Sequence, residues 1–383
     1  MDFNLNDEQK ATVKMLADFA KKELLPEYNF WDRERKFPSA QWKKMADIGI
    51  LGISTPVEYG GQDADNITTG LVVEEIGKGD INCACALTVQ ILTIDVIKRC
   101  AGEKIRREWL PLVVRGEKIL ALALTEPHCG TDASALSTRA VKKGDQYILN
   151  GEKSGITLGT VADLVLVFAK TNPEAGAKGV SAFLVPMELP GITRQSYEDM
   201  GSKPVTRGSI FLEDVKVPAE YLVGPEGGGF REVMKGFDFS RVLLGLMCLG
   251  AAQITLEETI RYVKERHAFG QPLARFEGVS FPIAEHVSLI EAVRWLSYYT
   301  LWLRDQGLKH DKEAAMCKWM APQFSVNAIH DCLLLHGHYG YTQEFSVEQR
   351  LRDVMGIEIA DGTSQVSKIV ISREIFGREY LPY

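Results

Sequence analysis

The spacing of apolar residues changes twice along this chain, and those two changes limit its architecture more than any single motif does. Over residues 5–119 apolar side chains recur three and four apart between charged ones, with Asn6 placed to cap the first run, which predicts helices. Over 121–223 the texture turns to short β-type runs divided by turn residues, at 121–124, 147–149, 164–169, 180–185 and 209–212. After the glycine-rich stretch GPEGGG (224–229), which reads as a flexible joint, helical spacing returns, as in Ile283, Val287, Ile290, Val293 and Leu296, with Gly307 placed as a stop. The expected fold is mainly α with a central β domain: a helical domain over 1–119, a β domain over 120–229 and a helical domain over 230–383. PVEYGG (56–61) interrupts the first helical domain as a turn, and Pro322 predicts a kink or break within the helical stretch 312–335.

Charge and cysteine usage narrow the class of function. Against 44 basic residues stand 51 acidic ones, a net charge of -7, so a phosphate backbone would be repelled and nucleic acid is not the expected partner. The start, MDFNLNDEQK, lacks the basic-then-apolar pattern of a leader, and the apolar run 242–256 is broken by Gly245, Gly250 and Gln253, so no membrane insertion is expected and the location reads as cytoplasmic. The seven cysteines form no CxxC pair and sit in apolar contexts, which reads as reduced, buried thiols.

Five separated motifs converge on one family: PVEYGG, LTEPHCGTD (124–132), LNGEKSGIT (149–157), ERHAFGQPLARFEG (265–278) and HGHYGYTQEF (336–345), followed by the tail IADGTSQVSKIVISRE. In joint order and spacing they resemble the acyl-CoA dehydrogenases from end to end. The resemblance implies an N-terminal helical domain, a middle β-barrel-like domain and a C-terminal four-helix bundle, with FAD as cofactor. It further implies an acyl-CoA substrate, an electron-transfer flavoprotein as partner and a homo-oligomer, most often a tetramer.

The reaction so implied removes a weakly acidic proton α to a thioester while hydride leaves the β carbon, which requires a positioned carboxylate and stabilisation of the charge developing on the carbonyl oxygen. The family's base is a glutamate before Gly-Thr near the C-terminus, and here that position is Asp361, followed by Gly362 and Thr363. The shorter side chain withdraws the oxygens by about 1.5 Å. An alternative base position on the helix opening the last domain holds Ser240. A second carboxylate, Asp95, lies in the aliphatic stretch ILTIDVI (91–97), where burial would raise its pKa towards the range of a base acting further along the substrate, while a solvent-facing helical position is the competing reading.

By position, the resemblance implies flavin contacts from Leu122, Leu124, Thr125, Thr131, Thr157, Gly337, Thr363 and Gln365, with Arg266 and Phe269 acting from a neighbouring subunit. Thr131 and Gly362 border the thioester site. Asp238 and Arg241 match a pair that holds the pantetheine arm, although their three-residue separation also suits an intrahelical ion pair. Glu277 stands where relatives carry glutamine. Two family aromatics are absent, with Gly155 in place of a tryptophan beside the flavin and Ala360 in place of a tyrosine flanking the base, and the loss of bulk suits a branched or cyclic acyl group such as a cyclohexane- or cyclohexene-carboxyl thioester. A relative that uses oxygen or a carrier-protein thioester, or a silent flavin-binding scaffold, are the alternatives. His336 and His338 lack a third ligand, so no metal is expected.

Overall fold

The computed structural model describes residues 4–381. Six helices come first: α1 (Asp7–Phe19), α2 (Tyr28–Glu34), α3 (Ser39–Asp47), α4 (Asn66–Gly79), α5 (Ile81–Cys100) and α6 (Glu103–Val114). Asn6 caps α1 as expected, in a box where its side chain accepts from Gln9 N while Gln9 returns a bond to the Asn6 backbone. Eight strands follow: β1 (Leu120–Ala123), β2 (Arg139–Lys143), β3 (Gln146–Ile156), β4 (Leu164–Lys170), β5 (Val180–Pro186), β6 (Ile192–Ser196), β7 (Gly208–Pro218) and β8 (Leu222–Val223). Then α7 (Gly229–Glu265), the short hairpin β9 (His267–Ala268) and β10 (Gln271–Pro272), α8 (Glu277–Asp305), α9 (Asp311–Leu335), α10 (Val347–Ile357) and α11 (Ser364–Phe376) complete the chain.

The sheet runs β6-β7-β3-β2-β4-β5-β8, with β1 parallel to the first part of β4 and β2 meeting its end at Arg139 and Lys170. Strand β4 is buried on both faces because its alternating residues serve two cores. Leu164, Leu166 and Phe168 pack with Ile94, Ile97 and Leu110 of the helical domain. Val165, Val167 and Ala169 face Leu149, Ile210 and Val217 within the β domain. The sequence runs located β1, β3, β4, β5 and β7; β2 and β6 escaped because RAVKK and ITRQS leave most side chains in water and carry little apolar signal.

Helix α7 is the axis of the molecule, and α4, α5, α8 and α9 all pack on it. Together α5 and α7 are apolar and long enough to span a membrane by length and composition, yet 89% of each such window is buried inside the fold, so their apolarity is spent on the core. The approach of α4 to α7 is backbone to backbone: a Cβ on Gly250 would lie 2.4 Å from Glu74 O, and one on Gly77 would lie 2.7 Å from Met247 O.

Two sequence expectations are corrected. Helix α9 runs unbroken through Pro322, because the surrounding helices pack on Ala321, Pro322 and Ser325 and their burial outweighs one missing backbone bond. The 224–229 stretch is a packed turn instead of a flexible joint: Gly227 N donates to Ser181 Oγ at 2.8 Å, and a Cβ on Gly229 would meet Ala182 N at 2.8 Å.

Replacing Gly250 by alanine should lower stability by about 1–3 kcal/mol through overpacking, while Gly102→Ala, where an added Cβ meets nothing within 4 Å, should be nearly neutral. Thermal melting of the two variants against wild type checks this.

Candidate active site

Asp361 sits in the turn that joins α10 to α11. Its φ of 50° and the φ of 95° at Gly362 place two successive residues in the left-handed region, which reverses the chain within a few residues and is costly for an aspartate. Thr363 then caps α11, its Oγ1 accepting from Val366 N at 3.4 Å. The turn folds back on α7, where the buried Ser240 donates its Oγ hydrogen to Asp361 Oδ2 at 3.1 Å. Burial raises the Asp361 carboxyl above the ordinary aspartate value, and the opposing pulls of Lys318, Ser240 and Arg241 do not cancel it. The Asp361 N–H donates to no group among the described residues, so it is available to a ligand.

Asp238 and Arg241 stand one turn apart on α7, on either side of Ser240. They form the intrahelical ion pair, Arg241 Nη1 to Asp238 Oδ1, at 2.7 Å, and burial raises the Asp238 carboxyl. Cys85 and Cys248 are buried near Asp361 and Lys318, and burial pushes the Cys85 thiol up to about 12, which leaves it protonated and inert.

Asp95 is buried on α5 at 2% exposure, which removes the solvent-facing reading. It is also not alone: Arg99 Nε donates to Oδ2 at 3.0 Å and Arg304 Nη2 to Oδ1 at 3.1 Å. Arg99 continues to Glu232 Oε2 at 2.7 Å, and the Arg304 guanidinium lies 4.4 Å from the ring centroid of Phe239. This carboxylate is one member of a buried charge ladder.

Of the residues expected to hold FAD, Leu122, Leu124, Thr125, Thr131 and Thr157 lie on the rim of the β domain. Leu122 and Leu124 lie on or just after β1, and Ser154 N donates to Thr125 O at 2.9 Å, so the loop after β1 is tied to β3. Among the described residues the hydroxyls of Thr125, Thr131 and Thr157 make no hydrogen bond, and a Cβ on Gly155 (φ 66°) would meet nothing within 4 Å. Uncommitted hydroxyls beside open space fit a large polar ligand with a flat ring system, as FAD has. Tyr197 reaches the backbone beside Gly155: its hydroxyl accepts from Gly155 N at 3.3 Å and bonds Ser154 Oγ at 2.9 Å and Ser209 Oγ at 2.7 Å.

Gln365 projects into solvent from the first turn of α11. Arg266, Phe269 and Gly337 are not joined to the rim by any hydrogen bond among the described residues. Arg266 is exposed and makes no ion pair with Glu265 there, Phe269 is 96% exposed, and Gly337 (φ 62°) opens the turn after α9. His336, by contrast, is buried, with Nδ1 at 2.8 Å from Cys332 O and its ring stacked on Tyr262.

Two lysines escaped the sequence reading because a buried lysine carries no local signature. Lys153, fully buried, donates to Glu126 Oε1 at 2.7 Å and Leu124 O at 3.0 Å, and Glu126 also accepts from Ser137 N and Thr138 N. This pair holds the loop after β1 in shape. Lys318, on α9, lies under the Asp361 turn.

Sequence-family models described as the N-terminal, middle and C-terminal domains of acyl-CoA dehydrogenase match residues 6–117, 121–215 and 227–376. Over 379 residues the chain is 36% identical to a probable acyl-CoA dehydrogenase of Bacillus subtilis, covering 98% of this chain and 100% of that one. Butyryl-CoA dehydrogenase from Megasphaera elsdenii matches with a TM-score of 0.95 at 33% identity, over 98% of this chain and 100% of its own. The FAD complex of PigA matches with a TM-score of 0.95 at 27% identity, over 99% and 100%.

Burial would raise the Glu126 carboxyl, but Lys153, Thr138 and Ser137 more than offset it and hold it at about 2. Its stabilising share is therefore present above the ordinary glutamate range and is lost as pH falls towards that value. Lys153→Met should strand the buried carboxylate at a cost of about 3–5 kcal/mol and yield protein with little bound FAD, measured by flavin absorbance and melting temperature.

Proposed function

The chain belongs to the acyl-CoA dehydrogenase family, FAD-dependent oxidoreductases acting on CH–CH bonds, and on that premise we propose that Asp361 abstracts the α-proton of a bulky, branched or cyclic acyl-CoA thioester. The observation that carries this reading is the carboxylate itself, half-buried, raised by burial and aimed by Ser240. Bound FAD supplies the hydride acceptor. In this reading the free Asp361 N–H polarises the thioester carbonyl as the proton leaves, and Asp238 with Arg241 holds the pantetheine arm along α7. Thr131 and Gly362 border the thioester, while Thr125, Thr157, Thr363 and Gln365 meet the cofactor.

The open space at Gly155 and the small Ala360 support a wide acyl pocket and a ring substrate such as a cyclohexane- or cyclohexene-carboxyl thioester. In such a ring Asp95 is the second carboxylate, acting at a more distant carbon. Each of its oxygens already accepts one hydrogen bond, from Arg99 and from Arg304, so a proton would arrive at a remaining lone pair in competition with two guanidinium groups. An electron-transfer flavoprotein is the proposed acceptor, and the cytoplasm the proposed location.

We also propose a homotetramer in which Arg266, Phe269 and Gly337 complete a neighbour's FAD site. The support is the exposure of large apolar side chains in and after the β9–β10 hairpin, Phe269 (96% exposed), Phe281 (59%), Val287 (46%) and Leu289 (41%). Phe269→Asp with Phe281→Asp should give a smaller species by light scattering that also loses FAD. A tetramer that keeps its flavin would count against the shared site.

Anaerobic mixing with linear, branched and ring acyl-CoAs, followed by flavin absorbance, tests the function. Bleaching by ring thioesters should fall by about 10²–10⁴ in Asp361→Asn, the range for loss of a general base. Since the carboxyl is raised, the wild-type rate should decline as pH falls at a higher pH than an ordinary aspartate would give. Bleaching by linear acyl groups alone would end the ring proposal, and unchanged bleaching in Asp95→Asn would end the role of the second carboxylate.

A further inference from the structure

We propose that Lys318 is a positioning residue for the base: its buried ammonium ties together the two ends of the turn that carries Asp361 and so fixes where that short carboxylate points. The proposal rests on the reading of Asp361 as base.

Lys318 lies in the middle of α9 with 0% exposure, so its amine does not reach water in the way lysines usually do. The Nζ donates to Ile357 O at 2.7 Å and to Gly362 O at 3.1 Å. Ile357 is the last residue of α10, where carbonyls are left without helical donors and the helix dipole favours a cation. Neither carbonyl accepts a backbone hydrogen bond among the described residues. The two acceptors bracket residues 358–361, so one ammonium spans the whole reversal, including the left-handed Asp361.

A left-handed aspartate carries a modest conformational cost and is held more firmly when its flanks are tied, as they are here at these two carbonyls. A glutamate could follow a drifting backbone by changing rotamer; the shorter aspartate has one fewer torsion with which to do so. Displacement by about 1 Å is enough to lose about a hundredfold in rate. The titratable groups that act on Asp361 or Lys318 are Arg241 and Cys248 from α7, Cys85 from α5 and Glu358 within the turn, and Cys85 in its turn also feels Arg207, Asp353 and Asp80. Of the cations, Lys318 has the largest effect on Asp361 in favour of its ionised form.

The test uses FAD-loaded Lys318→Met, Lys318→Arg and Asp361→Ala, with the acyl-CoA that bleaches wild type fastest. Lys318→Met should lower the limiting bleaching rate by about 10–100-fold, in line with a misplacement of about 1 Å, while the apparent dissociation constant stays within about threefold. Its acid limb should move to higher pH, because the cation favouring ionised Asp361 is gone, and Lys318→Arg should restore that limb in part. Amide hydrogen exchange in the peptide spanning 357–363 should quicken in Lys318→Met. If Lys318→Met does not hold FAD, Lys318→Gln, which keeps a donor without the charge, is read in the same way. A rate within about twofold of wild type with an unmoved acid limb and unchanged exchange would overturn the proposal. If Asp361→Ala is dead while Lys318→Met behaves as wild type, the positioning role alone fails; if Asp361→Ala bleaches at full rate, the base assignment fails and the positioning role with it.

Discussion

The carboxylate of Asp353 is the point on which the placement of the reactive turn depends. It is buried on α10 and accepts from Tyr28 Oη at 2.7 Å, Asn82 Nδ2 at 2.9 Å and Ser202 N at 2.5 Å. Those donors come from the start of α2, the first turn of α5 and the loop between β6 and β7, so one side chain joins the helical, β and C-terminal parts of the molecule. Asp80, which caps α5 through Asn82 N and Cys83 N, lies close by, and burial raises both acids, Asp80 to about 7. A buried acid so raised is better tolerated protonated, so the junction loses stability as pH rises through that value. Because α10 leads directly into the turn bearing Asp361, the geometry of the proposed base is inherited from this junction.

From the junction, position is passed on in two further steps. Helix α7 approaches α4 so closely that glycine is required at Gly77 and Gly250, which fixes the height of α7, and with it Ser240 and Arg241, relative to α4. Helix α9 then sets Lys318 beneath the turn, and Ser240 meets the carboxylate from the other side. The β domain contributes through a separate device, the buried Glu126 and Lys153 pair, which shapes the rim expected to hold the flavin. Each device is polar and buried, and each would be destabilising if one partner were removed.

Much of the architecture was legible because it is written in local patterns. The change of period near residues 120 and 224 marked the layers, and Asn6, Gly307 and the long strands β4 and β5 carried their own signals. Polar strands such as β6 and the unbroken α9 were not legible, since pairing and packing decide them. The site divides in the same way. Asp361, Asp238 and Arg241 stood in recognisable segments, and the Arg99 partner of Asp95 is one helical turn away in sequence. Arg304 is 209 residues from Asp95, and Lys318 is 44 from Gly362; such partners exist only once the chain is folded.

A shorter base alters what the rest of the site must do. With glutamate, reach is supplied by the side chain; with Asp361 as the proposed base it has to be supplied by the backbone, and a left-handed turn tied at both ends keeps the short side chain in place. The same logic links the missing aromatics to the acyl group. If the open space at Gly155 belongs to the proposed acyl pocket, a compact ring, unlike a flexible linear chain, brings its own rigidity into that room. On the proposed reading, the entropy of orienting the substrate is carried partly by the substrate itself, and a fixed carboxylate meeting a rigid ring needs less adjustment from either partner.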